Sequence, residues 1–321
     1  MELRQLRYFI RIVELGSMSR AAIELDLAQS ALSQQITRLE GELGTRLLKR
    51  NPRGVETTDA GAAFLREARL TLRHAEQAMR SAKQARLTGS VSIGLAATTE
   101  SILGLPLITA MRRAYPDVRL HMVGGMSGNL GDMLNARELD MAVLFEQPAA
   151  GRHGGFAGRR WMVQPLFEEQ LFMIRARAPR AGPPLPDAIH LAELADEALI
   201  LPTSRHSLRT ILDAAFTQAG TTPRIGLEID SQPMTMAALQ QGLGSMIQPW
   251  AALGSVADAG QRFEWARVAD AQARRINLLC SLHDDELSPA ALAARGVLTN
   301  CVRQLIASGT WQGATLIHHE N

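Results

Sequence analysis

The chain has 321 residues, 46% of them hydrophobic, with 34 Lys and Arg against 32 Asp and Glu. That composition predicts a globular protein of more than one domain, and no apolar run reaches the roughly 18 residues that a membrane span needs. Charge is split along the chain: residues 1–90 hold 15 Lys/Arg against 10 Asp/Glu and the remainder 19 against 22, so a basic front end of +5 precedes a body of −3.

Leu3, Leu6, Phe9, Ile10 and Val13 recur at helical spacing and predict a first helix over 2–14. Gly16 ends it, and Ser17 is a good N-cap for a second helix over 18–25 that buries Met18, Ala21, Ala22 and Leu25. Asp26-Leu27-Ala28 makes a tight turn into a third helix over 29–43. There Leu32, Ile36, Leu39 and Leu43 step by four, three and four and face inward. Ser30, Ser33, Gln34, Thr37 and Arg38 fall on the opposite side, with Gln29 opening the helix and Arg20 on the helix before it. Short hydroxyls, amides and guanidinium groups are the side chains that read base edges and hold phosphates. Ala28 occupies the capping position, so this helix forgoes about 1 kcal/mol of N-cap stabilisation. Residues 46–58 follow as two short strands around Asn51-Pro52-Arg53-Gly54, a hairpin with Lys49, Arg50 and Arg53 at its tip. Such a basic wing suits phosphates or a minor groove.

These stretches resemble the DNA-binding end of the LysR-type transcriptional regulators over residues 1 to about 88. The resemblance is carried by Leu6-Arg7-Tyr8-Phe9, Gly16 to Ala22, Gln29 to Ile36, Leu39 to Gly44, Leu47-Leu48-Lys49-Arg50 and Thr58-Asp59-Ala60-Gly61. Ser30 stands where the family often has proline. Within the family the head most resembles the nitrogen-assimilation-control regulators. The resemblance implies a transcription regulator that binds double-stranded promoter DNA as a homodimer or a dimer of dimers. Contact with RNA polymerase and a small-molecule effector belong to the same implication.

From Thr58-Asp59 a long helix is predicted to about Leu87, a rod of ~45 Å at 1.5 Å per residue. Phe64, Ala68, Leu72, Ala75, Met79 and Ala82 form a narrow apolar seam near a 3.5-residue repeat, which asks for a partner helix. Arg66, Glu67, Arg69, Arg73, Glu76, Arg80, Lys83 and Arg86 cover the other faces. The resemblance makes this the linker helix that pairs two subunits.

Beyond Val91, short apolar runs alternate with helical stretches, the pattern of mostly parallel sheets covered by helices. Expected strands lie over 91–96, 118–123, 141–145, 198–201, 225–229, 245–247 and 275–282. Expected helices lie over 102–114, 130–137, 208–218, 234–241 and 289–306. Residues 164–167 and 170–174 read as separate crossing strands, and 181–186 as a Pro-rich surface loop. The fold class expected is therefore α + α/β: a winged helix-turn-helix, a linker helix and a two-lobed body. The body resembles the family's effector domain, which is similar in fold to periplasmic solute-binding proteins. The predicted divisions are head 1–58, linker 59–88, lobe I 91–163 plus 269–310, and lobe II 164–268.

Ligands in open α/β sheets sit beyond the carboxyl ends of the strands. Those ends place Thr98, Thr99, Ser127, Thr203 and Gln248 around one cleft, where hydroxyls and helix N-termini suit a small carboxylate. Each hydroxyl has a plain alternative as a helix cap. No cofactor, metal or catalytic set is expected. Gly124 to Gly128 lacks the Gly-Lys-Ser/Thr ending of a phosphate loop, and Ser204 to Ser207 lacks a nucleophile elbow. Asp284-Asp285-Glu286 reads as a solvated turn and His318-His319 as a tail. The two cysteines, Cys280 and Cys301, form no CxxC and read as buried thiols of a reducing cytoplasm. A solute-binding protein is opposed by the winged head and by an N-terminus that enters a helix without a secretory signal. An enzyme is opposed by the lack of an acid-base or nucleophile constellation.

Overall fold

A computed structural model of the chain describes residues 1–51, 54–81, 87–145, 161–177 and 184–317. Arg53, Ala82, Lys83, Arg86, Pro183 and His318-His319 lie outside the described residues, as do the side chains of Arg50, Glu76, Met79 and Arg80.

The head opens with α1 (Leu3–Leu15), α2 (Met18–Glu24) and α3 (Gln29–Leu43). Gly16 adopts φ 60° to end α1, and its N–H bonds to the Val13 carbonyl. The Ser17 hydroxyl accepts from the Arg20 N–H at 3.3 Å, whereas Ala28 gives α3 no side-chain cap. Phe9, Ile12, Met18, Ala21, Ala22, Leu32, Ile36, Leu39 and Leu47 form the head's core. Two expected core residues fall short. Leu25 is half-buried, and Leu43 is 39% exposed because it sits in the last turn, beside a shallow groove shared with Leu47 and Phe64.

The wing is β1 (Leu48–Asn51) paired antiparallel with β2 (Gly54–Thr57). It is docked through backbone: the Val55 N–H donates to the Gly16 carbonyl at 2.9 Å. The hydroxyl of Thr58 then caps the linker helix, α4 (Asp59–Ser81), by accepting from the Gly61 N–H at 2.9 Å. Phe64 of α4 packs edge-on against Phe9, with ring centroids 5.3 Å apart. Leu70, one turn and a half further on, is 6% exposed and joins the core of the body. The linker helix thus lies against its own chain on two sides, which the seam taken alone did not anticipate.

The first half of the body comprises β3 (Gly89–Ala96), α5 (Ala97–Ala114), β4 (Val118–Gly125), α6 (Ser127–Asn135), β5 (Met141–Phe145) and β6 (Met162–Ala176). The second comprises β7 (Ala188–Ile189), β8 (Leu199–Leu201), α7 (Ser207–Gln218), β9 (Ile225–Glu228), α8 (Gln232–Gln240) and β10 (Ser245–Pro249). The chain closes with α9 (Ala259–Arg262), β11 (Phe263–Val268), β12 (Arg274–Ser281), α10 (Pro289–Ala307) and β13 (Ala314–Leu316). The main strand order is β4-β3-β5-β12-β6-β10-β8-β9. β3 runs parallel to β4 and β5, and β8 parallel to β9 and β10, so each lobe has a parallel unit. Antiparallel β6 and β12 carry the chain between them.

Residues 162–176 form one strand where two were expected. The expected gap fell at Glu168-Glu169, yet both pair with β12, and Pro165 is accommodated at a register shift opposite Asn277/Leu278, where a residue without an N–H is tolerated. β11 and β13, which complete the pairing of β6, were not foreseen. β5 shows why a continuous apolar run makes a strand here: Met141 and Val143 face one core, Ala142 and Leu144 the other. Cys280 and Cys301 are buried in separate cores and are not joined in a disulfide. Among the described residues no helix is long and apolar enough to cross a membrane.

A Cβ at Gly61 would stand 1.9 Å from the Leu47 carbonyl oxygen, a backbone atom that cannot move aside. Gly61→Ala is expected to destabilise the head by about 1–3 kcal/mol, read as an earlier thermal transition in circular dichroism with the second, body transition unchanged.

Candidate DNA interface and effector cleft

The third helix has the two sides its sequence predicts. Leu32, Ile36 and Leu39 are buried, while Arg20, Gln29, Ser30, Gln34, Thr37 and Arg38 are exposed and Ser33 is half-buried. Local bonds orient this ridge. The Ser19 hydroxyl donates to Gln29 Oε1 at 2.9 Å, and the Thr37 hydroxyl to the Ser33 carbonyl at 3.0 Å. Arg20 is tied to the Leu15 carbonyl. Arg38 Nε meets Glu42 at 3.3 Å; a pair this exposed is worth little, so the guanidinium can be surrendered to a phosphate.

Two positioning residues escaped the sequence reading. Glu40 Oε1 accepts from the N–H groups of Leu47 and Leu48 at 2.8 and 3.0 Å, fixing the wing to the recognition helix. Gln5, fully buried, donates to Gln35 at 3.4 Å and joins α1 to the same helix. A concave groove of about 620 Å³, lined by Thr37, Glu40, Thr45 and Arg46 among others, runs between helix and wing.

In the body, α5 begins at Ala97, so Thr98 and Thr99 lie inside its first turn, not in a loop before it. Both are buried and engaged. Thr98 Oγ1 accepts from Arg275 Nη2 at 2.8 Å, and the Thr99 hydroxyl donates to Asn277 Oδ1 at 3.3 Å. Ser127, in the first turn of α6, accepts from the Phe145 N–H at 3.1 Å. The Phe145 ring in turn lies 3.4 Å beneath the Arg275 guanidinium. Of these three predicted residues Thr98 touches Arg275 directly, while Thr99 and Ser127 bond to its neighbours Asn277 and Phe145; the sequence pattern did not single out Arg275.

Arg275 comes from β12 and is 2% exposed; its partner Glu169, from β6, is 1% exposed. Glu169 Oε1 accepts from Arg275 Nε at 2.9 Å, from Arg275 Nη2 and from Asn277 Nδ2 at 3.0 Å, and Oε2 accepts from Trp311 Nε1 at 3.2 Å. Burial pulls the Arg275 pKa down and Glu169 opposes it. A charged pair tolerates such a place only when its lone pairs and protons are satisfied, as here. The available signal was a charge set inside an apolar run: Glu169 before Leu171 to Ile174, and Arg275 before Ile276 to Leu282.

The other two residues belong to lobe II. Thr203 donates its N–H at 2.8 Å and its hydroxyl at 3.0 Å to Asp230, whose pKa the backbone bond lowers first. Gln248 is 7% exposed, and its Oε1 is buried without a partner among the described residues. Just beyond it, Ala251 joins the lobe I core and Gly254 abuts Ile102 of α5, so the end of β10 reaches lobe I. A cavity of about 420 Å³ between α7 and β12 touches Arg275 from the other side, and none of the five predicted residues lines it.

A winged helix-turn-helix with an exposed polar ridge, followed by a two-lobed α/β body, defines a DNA-binding transcriptional regulator. The family comparisons agree. The bacterial regulatory helix-turn-helix domain of the lysR family matches residues 3–62, and the LysR substrate binding domain matches residues 84–301. The chain belongs to the LysR family of transcriptional regulators. It is 34% identical over 306 residues to the nitrogen assimilation regulatory protein nac of Klebsiella aerogenes, covering 94% of this chain and 95% of that one. With the protein of the same name from Escherichia coli K12 it is 33% identical, covering 97% and 99%. Its fold matches a full-length OxyR variant from Pseudomonas aeruginosa with a TM-score of 0.69 at 22% identity, over 94% of this chain and 98% of that one.

Removing either member of the buried pair leaves a lone charge. Glu169→Ala or Arg275→Ala is expected to cost about 3–5 kcal/mol in urea unfolding. The double replacement Glu169→Ala/Arg275→Ala is expected to cost markedly less than the sum, the mark of direct coupling.

Proposed function

We propose that the chain is a homodimeric regulator of the nitrogen-assimilation type, which reads promoter DNA through α3 and its wing. The observation that carries this is the ridge of Gln29, Ser30, Ser33, Gln34, Thr37 and Arg38 standing above a buried Leu32, Ile36 and Leu39. Arg20, Arg50 and Arg53 serve as flanking phosphate contacts. Identity of 34% and 33% to two nitrogen assimilation regulators over nearly the whole chain supports the subgroup.

The working parts on this reading are the head (1–58), the linker (59–88) and the two lobes (91–163 with 269–310, and 164–268). The linker seam, where Leu72 and Ala75 stay half-buried in the single chain, pairs two subunits. Two such dimers assemble on one promoter, where the complex meets RNA polymerase. A small effector, with carboxylates the first class to test, occupies the cleft at Thr98, Thr99, Ser127, Thr203 and Gln248. Two heads bring about +10 of charge to DNA, and neutralising several phosphates makes affinity fall steeply with salt.

A gel shift on the gene's own upstream DNA tests the first claim. Binding should weaken as salt rises, and Gln34→Ala and Arg38→Ala should each lose about 1–3 kcal/mol where they touch bases. Indifference to any duplex at low ionic strength would remove the reading. Calorimetric titration of small carboxylates tests the second: a ligand that binds should lose affinity at least about tenfold in Thr98→Val/Ser127→Ala, since a lost buried hydrogen bond costs roughly 1–3 kcal/mol. Unchanged affinity would take these residues out of the site.

A further inference from the structure

The linker helix is fastened to lobe I by a polar seam that DNA contact does not require. Arg69 is its pivot. One guanidinium reaches two segments: Nη2 meets Glu14 of α1 at 3.4 Å, and Nη1 donates to the Ala136 carbonyl and to Glu138 Oε1, each at 3.0 Å. One turn on, Arg73 Nη1 donates to Asp140 Oδ1 at 2.9 Å, and the other Asp140 oxygen accepts from the Ser92 N–H at 2.8 Å. His74 Nε2 donates to the Glu286 carbonyl at 3.0 Å, and the Glu286 side chain pairs with Arg137. Arg137, buried in a left-handed conformation at φ 60°, shapes the 136–140 loop that receives the helix. Leu70 of α4 enters the body's core.

This composition is that of a contact made and broken, not of a permanent core. Among the described residues ion pairs dominate it, Leu70 is its apolar anchor, and Arg73 Nη2 is buried without a partner. Interfaces within a chain that are polar in this way allow the units to move. Burial raises the Asp140 pKa while Arg73 lowers it, so the charged pair holds the contact against a desolvation cost.

Its position gives the seam a consequence. Ser92 lies on β3 and Asp140 immediately precedes β5. Those same two strands end, at their far ends, on Thr98-Thr99 and on Phe145, beside Arg275. The seam therefore meets the start of β5 and the middle of β3, and the cleft residues lie past the far ends of the same two hydrogen-bonded strands.

We propose that Arg69, Arg73 and His74 of the linker helix, with the 136–140 loop and Glu286, form a releasable latch that holds lobe I against the linker and, through Arg69 and Glu14, against the head. Closed, the latch fixes one angle between effector domain and DNA-binding head; open, it frees lobe I from the linker helix. Its effect on regulation rests on the DNA-binding reading above, but the latch itself is a property of the free protein.

Pulsed electron–electron resonance on the full chain without DNA tests it directly. Spin labels go on Thr71→Cys of α4 and Gln304→Cys of α10, both exposed, in a Cys280→Ala/Cys301→Ala background. An excess of unlabelled protein isolates distances within one chain. The unaltered latch should give one dominant short distance. Arg69→Gln/Arg73→Gln should add a longer population several-fold above any present before, and the milder Asp140→Asn, which keeps an acceptor for Ser92, should shift the balance the same way. A single unchanged distance in either variant, with a thermal transition showing it folded, would overturn the latch. Should the chain ignore DNA in the gel shift, the regulatory reading falls while the distances still decide the latch.

Discussion

A buried ion pair at the point where the chain crosses between lobes organises the body. Arg275 and Glu169 sit on β12 and β6, the two strands that carry the chain between the parallel units. Both charges have left water, which costs several kcal/mol per ion and is offset only by good geometry and further bonds. Those bonds are what pull the surrounding elements into place. Thr98 brings the start of α5, Asn277 the next inward position of β12, Trp311 the segment before β13, and the ring of Phe145 the end of β5. The charge at this crossing is thus already neutralised by the protein.

The head solves a simpler problem. A three-helix core buries one side of α3 and leaves the other to solvent, so its polar side chains are presented without any cost to folding. Precision comes from groups that do not touch the ridge. Glu40 binds two backbone N–H groups of the wing, Gln5 meets Gln35, and glycines at 54 and 61 let backbone approach backbone where a Cβ would collide. Head and body meet along the linker helix, which serves both: Phe64 faces the head and Leu70 the body.

Periodicity alone made most of this fold legible. The bounds of α3 and β5 agree with the pattern read from residues 29–43 and 141–145, and the strand-helix alternation of both lobes was visible. The misreadings share a cause. Leu43 follows the apolar repeat yet stays exposed, since periodicity marks a face but not how far along it the neighbouring helices reach. The gap expected at Glu168-Glu169 was a local inference from two charges in a row, and it was overruled by their pairing with Ile276 and Arg275 of β12. β11 and β13 carry little local signal, because their reason to be strands is β6.

The sequence by itself determined the family, the helix-turn-helix, the polar ridge and the two-lobed order of the body. Each of these depends on residues close together in the chain, where spacing converts directly into a face. Only the tertiary structure decided which side chain answers which across long separations. Glu169 found Arg275, Arg73 found Asp140, and Thr98 became an acceptor for a buried guanidinium and not a free hydroxyl at a strand end. Partners 67 to 177 positions apart leave no periodic trace; they are chosen by the need of each buried charge for an opposite charge or a hydrogen-bond acceptor, and that need is met only once the strands are in register.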